Sequence, residues 1–480
     1  MEKYMGNKSK FCERIYDEIN NVYPLHPSMS FFDPFSGTTN VSRYFKKKGL
    51  NIICNDINDF SYVLGKAYID VCEVPKFSVL YKKNKHFISK INTLKKNGFL
   101  KEKIEKLIIE NKNTCDQNFM DLNINSKYFE VIAYLTYFAD ELDCGDINYG
   151  LFINNYCETG CNARYVNLVY KKTLDKIYNS SANKDVKKII ESFLTYPFNE
   201  KELDNLYNLL LSCNEFVTAS KIKRIIDKGN VVGKRMFFSL EHGRRLDIIY
   251  NTISFWKING YISESEYNIL LTSIIESVCI FSNTSATYQA FYKDYRANTL
   301  QDFRMIIPEI DDTKIKSRVM QEDAYSIIPK IKADVMYLDP PYNWRQYDSN
   351  YHLLNTISKY YGILNKKEFD SQIVGASGEN RIQKLEYTSF NKKSTFEETL
   401  LTPLSLSKCK VIALSYSDSE SNHKRENIDD TLNLIDSFFS NKKIFNSYKV
   451  VKIKSHNFES RRGNKKEEIN ELLYIGIKKW

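Results

Sequence analysis

The segment from residue 30 to residue 56 constrains the fold of this chain more than any other. Ser30-Phe31-Phe32 is an apolar run of the length of one short buried strand. Asp33-Pro34-Phe35-Ser36-Gly37-Thr38-Thr39-Asn40 turns from it into a helical stretch, Val41 to Lys48, and a second apolar run, Ile52-Ile53-Cys54, ends on Asn55-Asp56. Strand, tight glycine turn, helix, strand and terminal acid is the order of a doubly wound nucleotide-binding sheet. In such a sheet the acid about 20 residues after the turn hydrogen-bonds ribose hydroxyls. The turn matches neither the dinucleotide glycine fingerprint nor the Gly-x-x-x-x-Gly-Lys-Ser/Thr phosphate cradle. A nucleoside ligand lacking phosphates suits it, and S-adenosylmethionine is such a ligand.

A second feature lies far along the chain. The apolar run Val335-Met336-Tyr337-Leu338 delivers Asp339-Pro340-Pro341-Tyr342 at a strand end. The Asp339 carboxylate accepts hydrogen bonds. Pro340 has no N–H, so its backbone offers only a carbonyl acceptor, held in a stiff turn. Tyr342 offers a face on which a planar base stacks, worth about 1–3 kcal/mol per base. This combination suits an exocyclic amine that donates two hydrogen bonds while its nitrogen faces an electrophile. Because ligands of open α/β sheets bind beyond the carboxyl ends of the strands, Phe35 to Thr39, Asp56 and Asp339 are expected along one rim.

These residues carry a resemblance to a family. Tyr4-Met5-Gly6-Asn7-Lys8-Ser9-Lys10 resembles the N-terminal cofactor segment of Dam-like adenine-N6 DNA methyltransferases, and Asp33-Pro34-Phe35-Ser36-Gly37 resembles their first cofactor loop. Asp339 to Tyr342 resembles the family's catalytic tetrapeptide, continued here by Asn343-Trp344-Arg345-Gln346-Tyr347 and Asn350-Tyr351-His352. Leu414-Ser415-Tyr416-Ser417 and Ser460-Arg461-Arg462-Gly463-Asn464 resemble later blocks of one subgroup. The likeness covers about the first 75 residues and most of 235–480. Members often carry a second glycine where this chain has Thr39, and the stretch from Cys161 to Gly233 has no identified counterpart.

The resemblance implies an α/β fold, a doubly wound Rossmann-like methyltransferase sheet with a large, mostly helical inserted domain. It divides the chain into a cofactor part (1–75), a helical insertion that is a candidate for DNA recognition (76–300) and a catalytic part (301–480). It implies S-adenosylmethionine held by Tyr4, Lys8, Asp33, Phe35, Gly37, Asp56, Asp323 and Asp339. Lys8 is expected to pair with the methionine carboxylate, Asp56 with the ribose, and Asp323 with the adenine amino group. Asp339, Pro340, Pro341 and Tyr342 are the expected catalytic residues, acting on an adenine flipped out of duplex DNA. Candidate DNA contacts are Arg345, Gln346 and Asn350 just past the catalytic turn, Lys293 and Arg296 in an aromatic-basic stretch, and Arg461 and Arg462 near the end. A cognate restriction endonuclease is a candidate partner, with restriction-modification or epigenetic marking as the biological role. The same mechanism on cytosine-N4 or on adenine in RNA is the nearest alternative, although the acidic first position of the tetrapeptide leans toward adenine. A non-catalytic DNA-binding relative is the third reading, disfavoured by the intact set Lys8, Asp339 and Tyr342.

Composition agrees without deciding. The 480 residues can bury a large core, and a net charge of +10 suits a polyanionic partner. At 14% aromatic residues the chain is not a disordered basic tail. No apolar run approaches a membrane span and no signal-type core opens the chain, so a cytoplasmic location is expected. The ten cysteines form no Cys-x-x-Cys pair and read as reduced thiols, with no metal site expected. Strands are further expected at Val411–Ser415, Tyr448–Ser455 and Leu472–Ile477, the last two antiparallel. A helix capped by Ser263 and Glu266 should follow another that spans Leu246 to Lys257.

Overall fold

The computed structural model describes residues 8–115, 126–145, 150–157, 235–285, 287–311, 313–341, 347–360, 393–417, 428–456 and 468–479. It also describes short stretches between 174 and 223 and between 373 and 380. Its centre is a seven-stranded sheet. The strands are β1 (Ser30–Asp33), β2 (Asn51–Asn55), β3 (Ser317–Met320), β4 (Val335–Leu338), β7 (Val411–Ser417), β8 (Phe445–His456) and β9 (Glu468–Lys478). A separate antiparallel pair, β5 (Ile373–Val374) and β6 (Glu379–Asn380), completes the strands of the described residues.

The order across the sheet is β3-β2-β1-β4-β7-β9-β8. The first five strands run parallel, and β9 and β8 are antiparallel additions at one edge. The chain moves outward from β1 to β2 and β3, then returns to β4 on the other side of β1. That reversal creates a switch point between the carboxyl ends of β1 and β4. The expected doubly wound sheet and its antiparallel edge are both present. β3, which the sequence pattern did not reveal, adds the opposite edge.

Strand alternation builds two apolar layers. Phe31, Val335, Tyr337, Val411, Ala413, Leu473 and Ile475 face the layer formed with α1 (Cys12–Val22) and α2 (Asn40–Lys47). Phe45 of α2 stacks on Phe31 with ring centroids 3.9 Å apart. Phe32, Met336, Leu338, Ile412, Leu414 and Tyr474 face the other layer, which includes Ile435 and Phe439 from a helix at Ile428–Phe439.

Between β2 and β3 the chain is mainly helical. It opens with α3 (Asp59–Gly65), running into a wider π-type turn at Lys66–Asp70. Further on come α4 (Lys127–Tyr137), α5 (Leu240–Ile258) and α6 (Glu264–Phe281). A large shared core joins α3, α4, α5, α6 and α7 (His352–Tyr360), with Trp256, Tyr250 and Tyr134 fully buried in it. The helix expected at Leu246–Lys257 starts earlier, at Leu240, because Ser239 caps it, accepting from His242 N at 3.2 Å, and it ends at Ile258. A smaller core of Leu174, Val186, Ile190, Leu206 and Leu210 packs within the stretch between Cys161 and Gly233.

The capping box at the start of α6 is as the sequence predicts. Glu266 N donates to Ser263 Oγ at 3.2 Å, and Ser263 N donates to Glu266 Oε2 at 2.8 Å. Both bonds satisfy amides that the helix itself cannot pair. Ser263→Ala is expected to lower the unfolding free energy by about 1 kcal/mol, seen as a reduced midpoint in urea at an unchanged slope.

Candidate active site

The site forms on the rim where β1, β2, β4 and β7 end and the antiparallel β9 begins. Asp33, the last residue of β1, is buried, and its carboxylate accepts from Ser42 Oγ at 2.8 Å and from Phe35 N at 3.3 Å. These bonds tie the loop and the first turn of α2 to the strand end. Burial pushes the Asp33 carboxyl up to about 7, against the pull of those two donors, with Asp339 and Asp56 adding to the rise.

The loop from Pro34 to Thr39 closes on β2. Ser36 N donates to Asn55 O at 2.9 Å, and Gly37 N donates to Asp56 Oδ2 at 2.8 Å. Gly37 has φ of 48° and Thr39 has φ of 62°. Thr39 thus takes the left-handed conformation that glycine adopts freely and a β-branched residue seldom does. The departure from the family's usual glycine changes the residue here while the backbone keeps a glycine-like turn. Phe35 remains half-buried beside this loop.

Asp56 is held as firmly as it holds. Its Oδ1 accepts from Asn58 N at 2.9 Å and Asn58 Nδ2 at 3.0 Å. Asn355 Nδ2 on α7 in turn donates to Asn58 Oδ1 at 3.3 Å, and Phe60 N donates to Asn355 Oδ1 at 3.3 Å. The acid at the end of β2 is therefore linked by hydrogen bonds to the helix that follows the Asp339 turn.

Asp339 follows β4 and is largely buried, with its Oδ1 enclosed and without a hydrogen bond among the described residues. Lys8 Nζ lies 3.4 Å from that oxygen and 2.6 Å from Glu471 Oε1. Ser415 Oγ on β7 donates to the same Glu471 oxygen at 2.7 Å. Lys8 and Glu471 are both buried. Burial alone would discharge Lys8, but Asp339 and then Glu471 hold its pKa above the ordinary lysine value. Burial raises Asp339 to about 7; Lys8 opposes that rise and Glu471 adds to it. Lys8, expected to pair with the methionine carboxylate of the cofactor, also pairs with two carboxylates of the chain itself.

Glu471 did not emerge from the sequence, where it reads as a polar residue entering an apolar strand. Strand periodicity contains the signal. Glu471 shares its face of β9 with buried Leu473 and Ile475, so a carboxylate there must be buried and must find a cation.

The other expected residues lie in several settings. Asp323 is half-buried and caps a short helix at Ala324–Ile327, accepting from Tyr325 N at 3.2 Å. Lys293 and Arg296 are exposed, with the Arg296 guanidinium 4.1 Å from the Tyr292 ring centroid. Asn350 departs from expectation: its side chain is fully buried, and neither amide atom has a hydrogen-bond partner among the described residues. Pro340 is buried and Pro341 is half-buried. Tyr4, Tyr342, Arg345, Gln346, Arg461 and Arg462 lie outside the described residues. Elsewhere, His86, Asp140 and Asp143 come close enough to share an ion. Lys90 Nζ already lies 2.8 Å and 2.9 Å from the two carboxylates there.

The rim fits S-adenosylmethionine in kind. It offers Asp56 beside a turn with no phosphate cradle, a half-buried aromatic ring at Phe35, and a cluster of carboxylates suited to a cationic ligand. Lys8 is the cation that makes this cluster tolerable. Lys8→Met leaves Asp339 and Glu471 buried without it and is expected to cost about 3–5 kcal/mol of stability. The folded pKa of Asp339 would then rise further above its unfolded value near 4. A carboxylate raised in this way destabilises the fold above its folded pKa, and the penalty fades as pH falls through it. Urea unfolding should accordingly show a larger deficit for this variant at pH 8 than at pH 5.5.

Comparison with known proteins agrees with this geometry. The family model for D12 class N6 adenine-specific DNA methyltransferases matches residues 4–141 and 170–381. The type II methyltransferase M.FokI of Planomicrobium okeanokoites is 41% identical over 127 residues, which are 26% of this chain and 20% of that protein. The modification methylase StsI of Streptococcus sanguinis is 40% identical over 127 residues, 26% of this chain and 19% of the other. The type II methyltransferase M.CviAII of Paramecium bursaria Chlorella virus 1 is 31% identical over 214 residues, 42% of this chain and 60% of that one. In each case the match spans less than two thirds of the relative's length. No solved structure gives a significant match. With most of its length matched by the family model, and with the acids of the rim set at the switch point of the sheet, the chain belongs to the D12 class of N6 adenine-specific DNA methyltransferases.

Proposed function

We propose that this protein transfers the methyl group of S-adenosylmethionine to the N6 nitrogen of adenine in duplex DNA, at a specific sequence. The observation that carries the reading is the Asp339 carboxylate, buried at the end of β4 with an oxygen that has no hydrogen bond and with Lys8 at 3.4 Å. When bound, S-adenosylmethionine supplies an electrophilic methyl group on a sulfonium centre.

The chain's own residues do the rest. The adenine amino nitrogen is a poor nucleophile because its lone pair is delocalised into the ring. Asp339 and the Pro340 carbonyl accept the two amino hydrogens, which favours a pyramidal nitrogen and frees the lone pair. Positive charge develops on that nitrogen during transfer, and the fixed carboxylate stabilises it with little reorganisation. Holding donor and acceptor in line supplies much of the remaining acceleration. Tyr342 stacks the flipped base, and Pro341 stiffens the turn that carries it. Asp56 and Gly37 hold the ribose side of the cofactor, Phe35 its adenine, and Asp33 braces the loop. Tyr4 and Asp323 complete the cofactor contacts.

Lys293, Arg296, Arg345, Gln346, Arg461 and Arg462 are the DNA contacts of this reading, mostly to phosphates, which position without specifying sequence. The three parts 1–75, 76–300 and 301–480 serve as cofactor, recognition and catalytic portions. A cognate restriction endonuclease and a cytoplasmic setting go with restriction-modification. Among the described residues no helix is long and apolar enough to cross a membrane.

Isotopically labelled S-adenosylmethionine incubated with unmethylated duplex DNA, followed by nucleoside mass spectrometry, tests the reading. Labelled N6-methyladenosine is the expected product; labelled N4-methylcytosine or an unlabelled DNA pool overturns it. Asp339→Ala is expected to slow transfer by about 10²-fold or more. The carboxylate is the working form, so the single-turnover rate should rise with pH and level off above about 7.

A further inference from the structure

The sheet assigns a role to a residue outside the loops and the tetrapeptide. We propose that Glu471 is a positioning residue for methyl transfer: seated on Ser415, it pins the Lys8 ammonium beside Asp339, so that Asp339 keeps its place and its charge toward the incoming amine. The inference rests on the methyltransferase reading above and deepens it.

The argument begins with strand register. Leu338 of β4 pairs with Leu414 of β7, and Ser417 of β7 pairs with Glu471 of β9. Side chains alternate along a strand, so Asp339 shares a face with Tyr337, Ser415 with Ala413, and Glu471 with Leu473. Tyr337, Ala413 and Leu473 all pack in the layer beneath α1. Three neighbouring strands therefore bring Asp339, Ser415 and Glu471 to one face at one rim, and Lys8, just ahead of α1, closes over them.

Charge then decides what Glu471 does. If Lys8 served only to neutralise Asp339, one carboxylate would suffice, and the ammonium would sit closest to Asp339. Instead it lies 2.6 Å from Glu471 and 3.4 Å from Asp339. The cluster of two carboxylates and one ammonium is left with net negative charge, and the buried oxygen that lacks a hydrogen bond among the described residues belongs to Asp339 rather than Glu471. Glu471 thereby draws the cation off Asp339 enough to leave an acceptor oxygen available, while keeping it near enough to orient that carboxylate. The charged and titratable groups facing Asp339 are Lys8, Glu471, Tyr337 on its own strand and Asp33 across the rim.

Glu471→Gln separates positioning from a merely structural part. Without the second carboxylate the ammonium moves onto Asp339, which occupies the acceptor and stabilises its ionised form. The single-turnover rate on DNA should fall by about 10²-fold, as small misplacements in a reacting geometry do. The acid limb of its pH profile should move to lower pH. Calorimetric affinity for S-adenosylhomocysteine at pH 8 should stay at the wild-type value. A wild-type rate with an unmoved acid limb overturns the proposal, and so does a loss confined to ligand affinity. If that variant does not fold, Ser415→Ala keeps every charge and removes only the seat of Glu471. It should slow transfer without changing affinity, and a wild-type rate there overturns the proposal equally.

The wild-type chain assayed alongside distinguishes this inference from the functional reading. If the wild type methylates no DNA, the reading fails. Glu471 is then judged by the pH dependence of S-adenosylhomocysteine binding, where a shift to lower pH in Glu471→Gln supports the pinning of Lys8 and an unmoved profile overturns it.

Discussion

The buried ammonium of Lys8 is the contact on which the site depends. It lies between two carboxylates from strands far apart in sequence, and none of the three groups is tolerable in the interior without the others. An isolated ion moved from water into protein costs several kcal/mol even after relaxation. That cost is offset only if Lys8, Asp339 and Glu471 are brought together, which requires the N-terminal segment, β4, β7 and β9 to be in register at once. The salt bridge from Lys449 on β8 to Glu18 on α1, at 2.8 Å, ties the same two ends of the chain a second time. Assembly of the site and closure of the sheet are therefore one event.

The helical region, although inserted between β2 and β3, is not an appendage. Its core includes Phe60, Val63 and Leu64 from α3, directly after Asp56, and Leu353, Leu354 and Ile357 from α7, which follows the Asp339 turn. The hydrogen bonds from Gly37 through Asp56 and Asn58 to Asn355 run across that junction. Packing and polar contacts thus join the loop beyond β1 to the segment beyond β4. A disturbance in the helical core would be felt at both halves of the rim.

Much of this was legible in the sequence, and the failures have physical causes. Val335–Leu338 was read with its observed bounds because a strand buried on both faces is a continuous apolar run. Ser317–Met320 escaped because it is an edge strand, half exposed, with Ser and Arg among its four residues. Ser263 and Glu266 announced a helix start because a capping box is local. Glu471 was invisible because its partner, Lys8, is 463 positions away, and no local pattern reports such a pairing. Asn350 misled in the opposite direction. A polar residue just past a catalytic turn suggests a ligand contact, yet its backbone carbonyl accepts from Tyr288 N at 2.8 Å and its side chain is enclosed. Asp323, expected at the cofactor, also caps a short helix, a place that acids intrinsically favour.

Net charge illustrates the same limit. Several of the basic side chains behind the value of +10 do not face solvent at all. Lys46 Nζ donates to the carbonyls of Ile69 and Val71 at 2.8 and 3.0 Å, closing the end of the π-type turn after α3. Lys478 Nζ donates to the carbonyls of Ser405 and Ser407 at 2.8 and 2.7 Å, at the C-terminal end of a short helix at Thr402–Leu406. Arg235 is buried and donates to Asn155 O at 2.7 Å. These cations cap backbone carbonyls that would otherwise be buried unpaired. The field available to a polyanion is therefore set by placement rather than by the sum. The end of the β8–β9 pair where His456 faces Glu468 lies at the rim that carries Asp339, because β9 enters there next to the end of β7. Exposed Lys452 and Lys454 lie on β8 toward that end. Positive charge concentrated there, beside a cluster of carboxylates that is itself net negative, would hold phosphates at the margin of the site and leave its centre to the base.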